Sequence, residues 1–426
     1  MKKTIIKFTL YITSSLKHIL VKIVPIDLLR ALKRKIVNKS INDALKQKRE
    51  HFIRKQSADG VNVIGFVKGE IGLGQSCRLL INAINNSNRD FTIYNYEQIS
   101  SMRFNDNTWN DKITNTTPYN INVIHLNPPD LALAHATLDA TMWDYKYNIA
   151  FWLWELEEFP EDWINCFSFV DEIWTPSDFA TESIRKKTNL PVHTIPYPIS
   201  APTDCKYDRK YFGLPKDKFL FLSMYDSNST IERKNPIGAI EAFKKAFSKD
   251  NNSVGLVIKV NNPQNDDLER ISSLLEGYKN IYIIPKIMEK QEVNSLIKCC
   301  DVFVSLHRAE GFGLPLAEAM LLGTPTIATN WSANTEFMNY GNACMVDYEF
   351  LTLDKDYAMY KKGNRWANPD VNQAAKYMEK LFEDKAFYND ISINAKKYIE
   401  ENLNLENASK AIENRIKEIY NEEVSI

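Results

Sequence analysis

No CxxC pair occurs anywhere in the 426 residues, and none of the six scattered cysteines, Cys77, Cys166, Cys205, Cys299, Cys300 and Cys344, has a histidine at metal-ligand spacing. That argues against a structural zinc and suits reduced thiols in a cytoplasmic protein. Long apolar runs are missing as well. The longest charge-free stretch near the start, Phe8 to Leu16, is far short of the roughly 20 residues that a spanning helix needs, and no small-residue cleavage site follows it. Neither a transmembrane segment nor a signal peptide is therefore expected. The basic beginning of the chain also lacks interleaved stacking aromatics and any recognition motif, which argues against nucleic acid as a partner.

What is present is an ordinary composition, 44% apolar and 25% charged, with length for two to three domains. The formal charge of −1 conceals a segregation: residues 1–55 hold fifteen Lys and Arg against Asp27, Asp43 and Glu50. Within residues 1–24, Ile5, Phe8, Ile12, Leu16, Ile19, Leu20 and Ile23 recur at helical spacing between lysines. A second basic helical stretch runs from Pro25 to Lys55. Such an arm suits the anionic inner face of the cell membrane as a peripheral attachment; the competing reading is a helix packed on the body of the protein with its charges solvated.

Beyond the arm, short apolar strands alternate with helical patterns in two blocks. The first contains Val61–Val67, Phe91–Tyr96, Ile121–His125, Ile149–Leu156, Glu172–Pro176 and His193–Pro198; the second contains Phe219–Tyr225, Val254–Val260, Ile281–Pro285, Asp301–Leu306 and Thr326–Thr329. Parallel sheets covered on both faces follow from that alternation. Pro196, Pro198, Pro202 and Pro215 mark a linker between the blocks. The expected division is a basic amphipathic helical arm at 1–58, one alternating domain at 59–200, a second at 201–395, and a C-terminal helix at 396–426.

Chemistry concentrates in the second block. Between the strand ending at Leu306 and a helix opened by Pro315 lies a loop with Gly311 and Gly313, whose backbone at Gly311, Phe312, Gly313 and Leu314 is suited to close approach by an anion at a helix N-terminus. Glu310 and Glu318, eight residues apart, are placed to face the same crevice and accept hydroxyls of a larger ligand. Upstream, Arg233 and Lys234 stand between a strand and a helix begun at Pro236, a diphosphate site in which Arg acts as a fork and Lys as a point charge. Lys259, at another strand end, is a weaker phosphate or base contact.

The first block offers Gly69, Gly72 and Gly74 between strand and helix, in the order G-x-x-G-x-G and not the dinucleotide G-x-G-x-x-G. His125 ends the strand Ile121–His125 beside that loop, placed to bond a ligand hydroxyl or phosphate. Of Glu155 and Glu157, one or both could reach the cleft. The aromatics of IAFWLWEL are read chiefly as core.

Glu310-x7-Glu318 inside EGFGLPLAE, with Arg233-Lys234-x-Pro236 before it, resembles the signature of retaining GT-B glycosyltransferases, family 4 in particular (glycosyl transferases group 1). The resemblance spans about residues 60 to 400. It implies two Rossmann-like domains facing across a cleft, 59–200 on the acceptor side and 201–395 binding the nucleotide sugar, with the C-terminal helix returning to the first, Glu310 on the donor sugar, Glu318 on the nucleotide ribose and Arg233 and Lys234 on the pyrophosphate. It places the first glycine loop, Gly72 and Gly74, over the donor phosphate, and puts a donor-sugar contact where His125 stands. It implies no metal or cofactor, a nucleotide-diphosphate sugar as donor, and transfer to a saccharide, on a lipid carrier if the arm binds membrane. Asp354-Lys355-Asp356 has the D-x-D form of metal-using enzymes but lies outside a strand–loop context. The alternatives are a sugar-nucleotide epimerase of the same architecture and a catalytically silent partner protein; a dehydrogenase is not excluded by the first block alone.

Overall fold

The computed structural model describes residue 35 and residues 38–97, 103–275 and 277–422. The first lobe contains, in chain order, β1 (Ala58–Gly65), α1 (Gly72–Asn86), β2 (Phe91–Asn95), β3 (Tyr119–His125), α2 (Pro128–Thr137), β4 (Tyr147–Phe151), β5 (Glu172–Thr175), α3 (Asp178–Arg185) and β6 (Val192–Thr194). Its six strands pair in the order β2-β1-β3-β4-β5-β6, all parallel. A ladder of buried amides fixes the register: Asn62 Nδ2 donates to Asn122 Oδ1 at 2.8 Å, and Asn122 Nδ2 to Asn148 Oδ1 at 2.7 Å. Each would be costly to bury unpaired, so a slip by one residue is strongly disfavoured.

The second lobe contains β7 (Phe219–Asp226), α4 (Ile231–Lys234), α5 (Pro236–Ala246), β8 (Val254–Asn261), α6 (Asn265–Ser273), β9 (Ile281–Ile284), α7 (Lys290–Cys299), β10 (Val302–Ser305), α8 (Leu314–Leu321), β11 (Thr326–Thr329) and β12 (Cys344–Val346). These strands order as β12-β11-β10-β7-β8-β9 and are again parallel. An antiparallel hairpin, β13 (Tyr348–Thr352) and β14 (Arg365–Pro369), leaves this sheet before α9 (Val371–Glu383), α10 (Lys385–Asn402) and α11 (Leu405–Glu422). The fold is thus two Rossmann-like parallel sheets, an α/β architecture of the GT-B kind.

The strands form because their residues are apolar on both faces, as burial through Leu220–Leu222 and Val302–Val304 shows. Helices begin where a polar residue supplies the missing acceptor: Ser177 caps α3, Asn235 caps α5, Asp370 caps α9 and Asp384 caps α10.

Three segments differ from the sequence expectation. The strand expected over Ile149–Leu156 stops at Phe151. Trp152 N–H still reaches Trp174 O, but Leu153 N–H donates to the side chain of Asn127 at 3.0 Å, so the chain turns out of the sheet. The first glycine loop is partly helical, since α1 already starts at Gly72. Asn330–Glu336, which the strand and helix pattern leaves without an element, ends in a helical turn whose Glu336 carboxylate accepts from the amides of Asp178 (3.0 Å) and Phe179 (2.8 Å) in the first lobe.

The expected amphipathic helix of residues 1–24 lies outside the described residues, as does most of Pro25–Lys35. From residue 38 to 45 the arm is helical, and Ala44 is buried in the first lobe's core with Ile41 and Leu45 packed against it. Arg49 then pairs with Asp171 at 2.5 Å. This part of the arm packs on the body of the protein. At the other end α11 lies along α1, tied by Arg415 to the buried Glu172 at 2.8 Å and by Tyr420 OH to Asn120 Oδ1 at 2.8 Å. No described helix is long and apolar enough to cross a membrane.

Candidate active site

The strand order of the second lobe reverses between β7 and β10, the place where the loops at the strands' carboxyl ends part to leave a crevice. The connection after β7 carries Arg233 and Lys234 in the short helix α4; the loop after β10 carries Glu310. The two loops are pinned to each other. Arg308 N–H donates to Arg233 O at 2.8 Å, and Asn235, left-handed at φ 50°, donates its Nδ2 to Leu306 O at 2.8 Å. Arg233 Nη1 donates to Ala309 O at 2.7 Å and lies 3.5 Å from Glu310 Oε2, while Lys234 Nζ is bonded to Glu310 Oε1.

Arg233 and Glu310 are buried, at 4% and 8% exposure, while Lys234 is half-buried, with 18% of its side chain exposed. Burial alone would raise the Glu310 carboxyl, but Lys234 and then Arg233 outweigh it and bring it down to about 2. For Arg233 burial pulls downward, and Tyr360, Glu310 and Glu155 together push the guanidinium above its ordinary value. Lys234 goes the other way: burial lowers it, against the pull of Glu310. The result is a dry cation pair held charged by acids, a site preorganised for an anion that can displace them.

Beside it, Gly313 caps α8 with φ +96°, and the amides of Gly311, Phe312, Gly313 and Leu314 have no hydrogen-bond acceptor among the described residues. They stand free at a helix N-terminus, an arrangement that suits an anion. Gly311 does something further. A Cβ there would lie 2.9 Å from the carbonyl oxygen of Trp154 in the first lobe, and Gly311 O accepts from Ser177 Oγ at 2.8 Å. The missing side chain at this position serves contact between lobes. Phe312 is buried edge-on against Tyr197, centroids 5.0 Å apart.

Glu318 does not join Glu310. It is 1% exposed on α8, and its partner is Lys290 of α7, with Nζ 2.5 Å from Oε2; burial raises its carboxyl against Lys290. Lys259 lies toward this second group: burial lowers its ammonium to about 8, with Asp226 and Glu292 opposing, and Nζ bonds Asn261 Oδ1 at 3.2 Å. The acids thus mark two neighbouring polar patches along one lobe.

In the first lobe His125 has no exposed surface. Its Nε2 is 2.5 Å from Ser76 Oγ, which also bonds Tyr197 OH, and its ring stacks on Phe151 at 5.0 Å. Burial lowers the imidazole to about 4, so it is neutral. His125 therefore sits beneath α1, not open to the cleft, because its side chain leaves β3 toward the helix-covered face. Gly74 likewise makes a packing contact, since a Cβ on it would strike Gly69 O, whereas Gly72 faces open space.

Glu155 and Glu157 separate. Glu157 pairs with Arg365 of β14 at 2.8 Å, whereas Glu155 acts electrostatically on Arg233 and Lys234. Three contributors escaped the sequence reading: Lys290, Ser76 and Tyr360. Lys290 stands at a helix start, a legible signal; Tyr360 sits in an irregular loop of the hairpin and carries none. Asp356 of the D-x-D triplet is exposed and bonded to the Lys362 amide at 2.9 Å.

The family model described as "Glycosyl transferases group 1" matches residues 206–398, the second lobe. The serotype-specific mannosyltransferase WbdA of Escherichia coli is 29% identical over 192 residues, 43% of this chain and 20% of that protein. A second WbdA sequence is 27% identical over 246 residues, 54% of this chain and 26% of the relative. The chain thus spans about a fifth to a quarter of the curated relatives it matches. Among solved structures, Anabaena Alr3699/HepE in complex with UDP-glucose superposes with a TM-score of 0.63 at 12% identity, covering 84% of this chain and 100% of that one. A glycosyltransferase from Rickettsia africae gives 0.61 at 12% identity, covering 85% and 99%.

Proposed function

We propose that this chain, whose residues 206–398 match the model described as glycosyl transferases group 1, moves a sugar from a nucleotide-diphosphate donor to a saccharide acceptor with retention at the anomeric carbon. The observation that carries this is the contact of Arg233 and Lys234 with Glu310 at the strand-order reversal, beside the free amides of Gly311–Leu314.

Departure of a nucleoside diphosphate concentrates negative charge on the leaving oxygen. Arg233, Lys234 and the helix-end amides stabilise that charge more in the transition state than in the bound donor, which is where rate acceleration arises. The two side-chain cations take the part that a divalent metal plays elsewhere, so the reaction is proposed to need none. As the diphosphate displaces Glu310 from Lys234, the freed carboxylate accepts hydroxyls of the transferred sugar. Glu318 and Lys290 serve the ribose and nucleotide end, with Lys259 behind them. No protein nucleophile is invoked; the leaving phosphate takes the acceptor's proton on the same face. Contact between the lobes at Gly311 excludes water, which limits hydrolysis of the donor.

The likeness to WbdA favours mannose as the sugar. The basic stretch before residue 38 favours an acceptor carried on a membrane lipid at the cytoplasmic face. The test is a panel including GDP-mannose and UDP-glucose, assayed for nucleoside diphosphate release with and without a lipid-linked saccharide. Acceptor-dependent release from at least one donor, abolished in Glu310→Ala with its melting temperature kept, is expected. Conversion of the donor with no acceptor, or near-normal turnover of that variant, would overturn the reading.

A further inference from the structure

The cation pair faces two carboxylates, one from each lobe. Glu310 comes from its own loop; Glu155 comes from the segment that peels away from β4, and its charge acts on Arg233, on Lys234 and on Tyr360. Burial raises the Tyr360 hydroxyl, against Arg233, and the nearby Glu155 carboxylate adds to that rise. The Tyr360 ring, 4% exposed, lies with its centroid 5.8 Å from the Arg233 guanidinium carbon and 5.7 Å from the Trp154 ring. Tyr360 belongs to the hairpin loop between β13 and β14, so the second lobe reaches over its own arginine to pack against Trp154, the first-lobe neighbour of Glu155. The Glu155 Cγ is also 3.6 Å from where a Cβ on Gly311 would stand. Glu155 thus adjoins both the cations and the amide loop.

Resting on the glycosyl-transfer reading above, we propose that Glu155 is a specificity residue that accepts hydroxyls of the donor's sugar from the first-lobe side, and that Tyr360 is its positioning residue. Without ligand, two acids balance two cations. A bound donor adds a diphosphate with two negative charges, which takes over Arg233 and Lys234. A carboxylate left beside it is repelled by the phosphates and needs new hydrogen-bond donors. The sugar is the part of the donor that supplies them, and Glu155, lying on the lobe opposite Glu310, meets the face that Glu310 does not.

The full chain and its Glu155→Gln and Tyr360→Phe variants are titrated calorimetrically with UDP, GDP, UDP-glucose and GDP-mannose. Glu155→Gln is expected to bind the bare nucleoside diphosphate as well as the parent or better, since a competing anion is gone, and to lose about tenfold in affinity for the matching sugar nucleotide. Tyr360→Phe keeps the ring against Arg233 and Trp154 and should shift the same sugar-to-nucleotide ratio by a smaller factor, an effect that general loosening would not produce. A parental ratio in Glu155→Gln, with transfer by the parent intact, overturns this inference alone. A parent that binds none of the four ligands overturns it together with the glycosyl-transfer reading.

Discussion

At the scale of single residues, the site is a balance of charges with little water to soften it. Lys234→Ala should lower nucleoside diphosphate release about 100- to 1,000-fold, because it removes a preorganised cation from the leaving group; single-turnover kinetics with a saturating donor would measure it. His125 makes a prediction of another kind. Unfolded, it takes a proton near its ordinary 6.5; folded, only near about 4. Its contribution to stability is therefore complete above about pH 6.5 and falls away as pH drops toward about 4, by up to about 3 kcal/mol. Urea unfolding across that range should show the slope, and His125→Gln should flatten it. Sequence alone put Arg233, Lys234 and Glu310 in one place because residue type, loop position and the following Pro236 and Pro315 agree. It misplaced His125, since a strand's end fixes where a residue is but not which face its side chain takes. It could not separate Glu155 from Glu157, because the turn that divides them depends on Asn127, distant in the chain.

At the scale of elements, strands buried on both faces were legible, and Thr326–Thr329 agrees to the residue. The hairpin β13–β14 was not, for a physical reason: Tyr348–Thr352 is exposed at four of its five positions, so no buried alternation signals a strand. The loop after β10 shows how two demands meet on one glycine. Gly311→Ala places a methyl 2.9 Å from Trp154 O, so the loop or the first-lobe turn must shift. We expect a loss of about 1–3 kcal/mol in stability and a larger proportional fall in kcat than in donor affinity, since lobe contact and not the cation pair is disturbed. Thermal melts and steady-state kinetics of this variant would check both.

At the scale of the whole molecule, the two lobes share one continuous apolar core through Phe303, Leu316, Tyr197 and Ile412, and α11 fastens the chain's later part onto the first lobe. Arg415→Ala leaves the fully buried Glu172 with the neutral donors of Tyr147 and Trp174 but without its guanidinium, and should cost about 3–5 kcal/mol, whereas replacing both by apolar side chains of similar volume should cost far less. Chemical denaturation of the two variants separates these outcomes. The chain passes from first lobe to second near Ile199 and returns near Leu403, and there Ile199 N–H donates to Leu403 O at 2.8 Å. The outgoing and returning strands of chain are stapled side by side. Topologically, then, the second lobe is a cassette spliced into the first through a single doorway, and its two ends already touch. A fragment cut at that doorway would have its two ends side by side, and it would bare the apolar surface around Phe303, Phe312 and Leu316 that the other lobe covers.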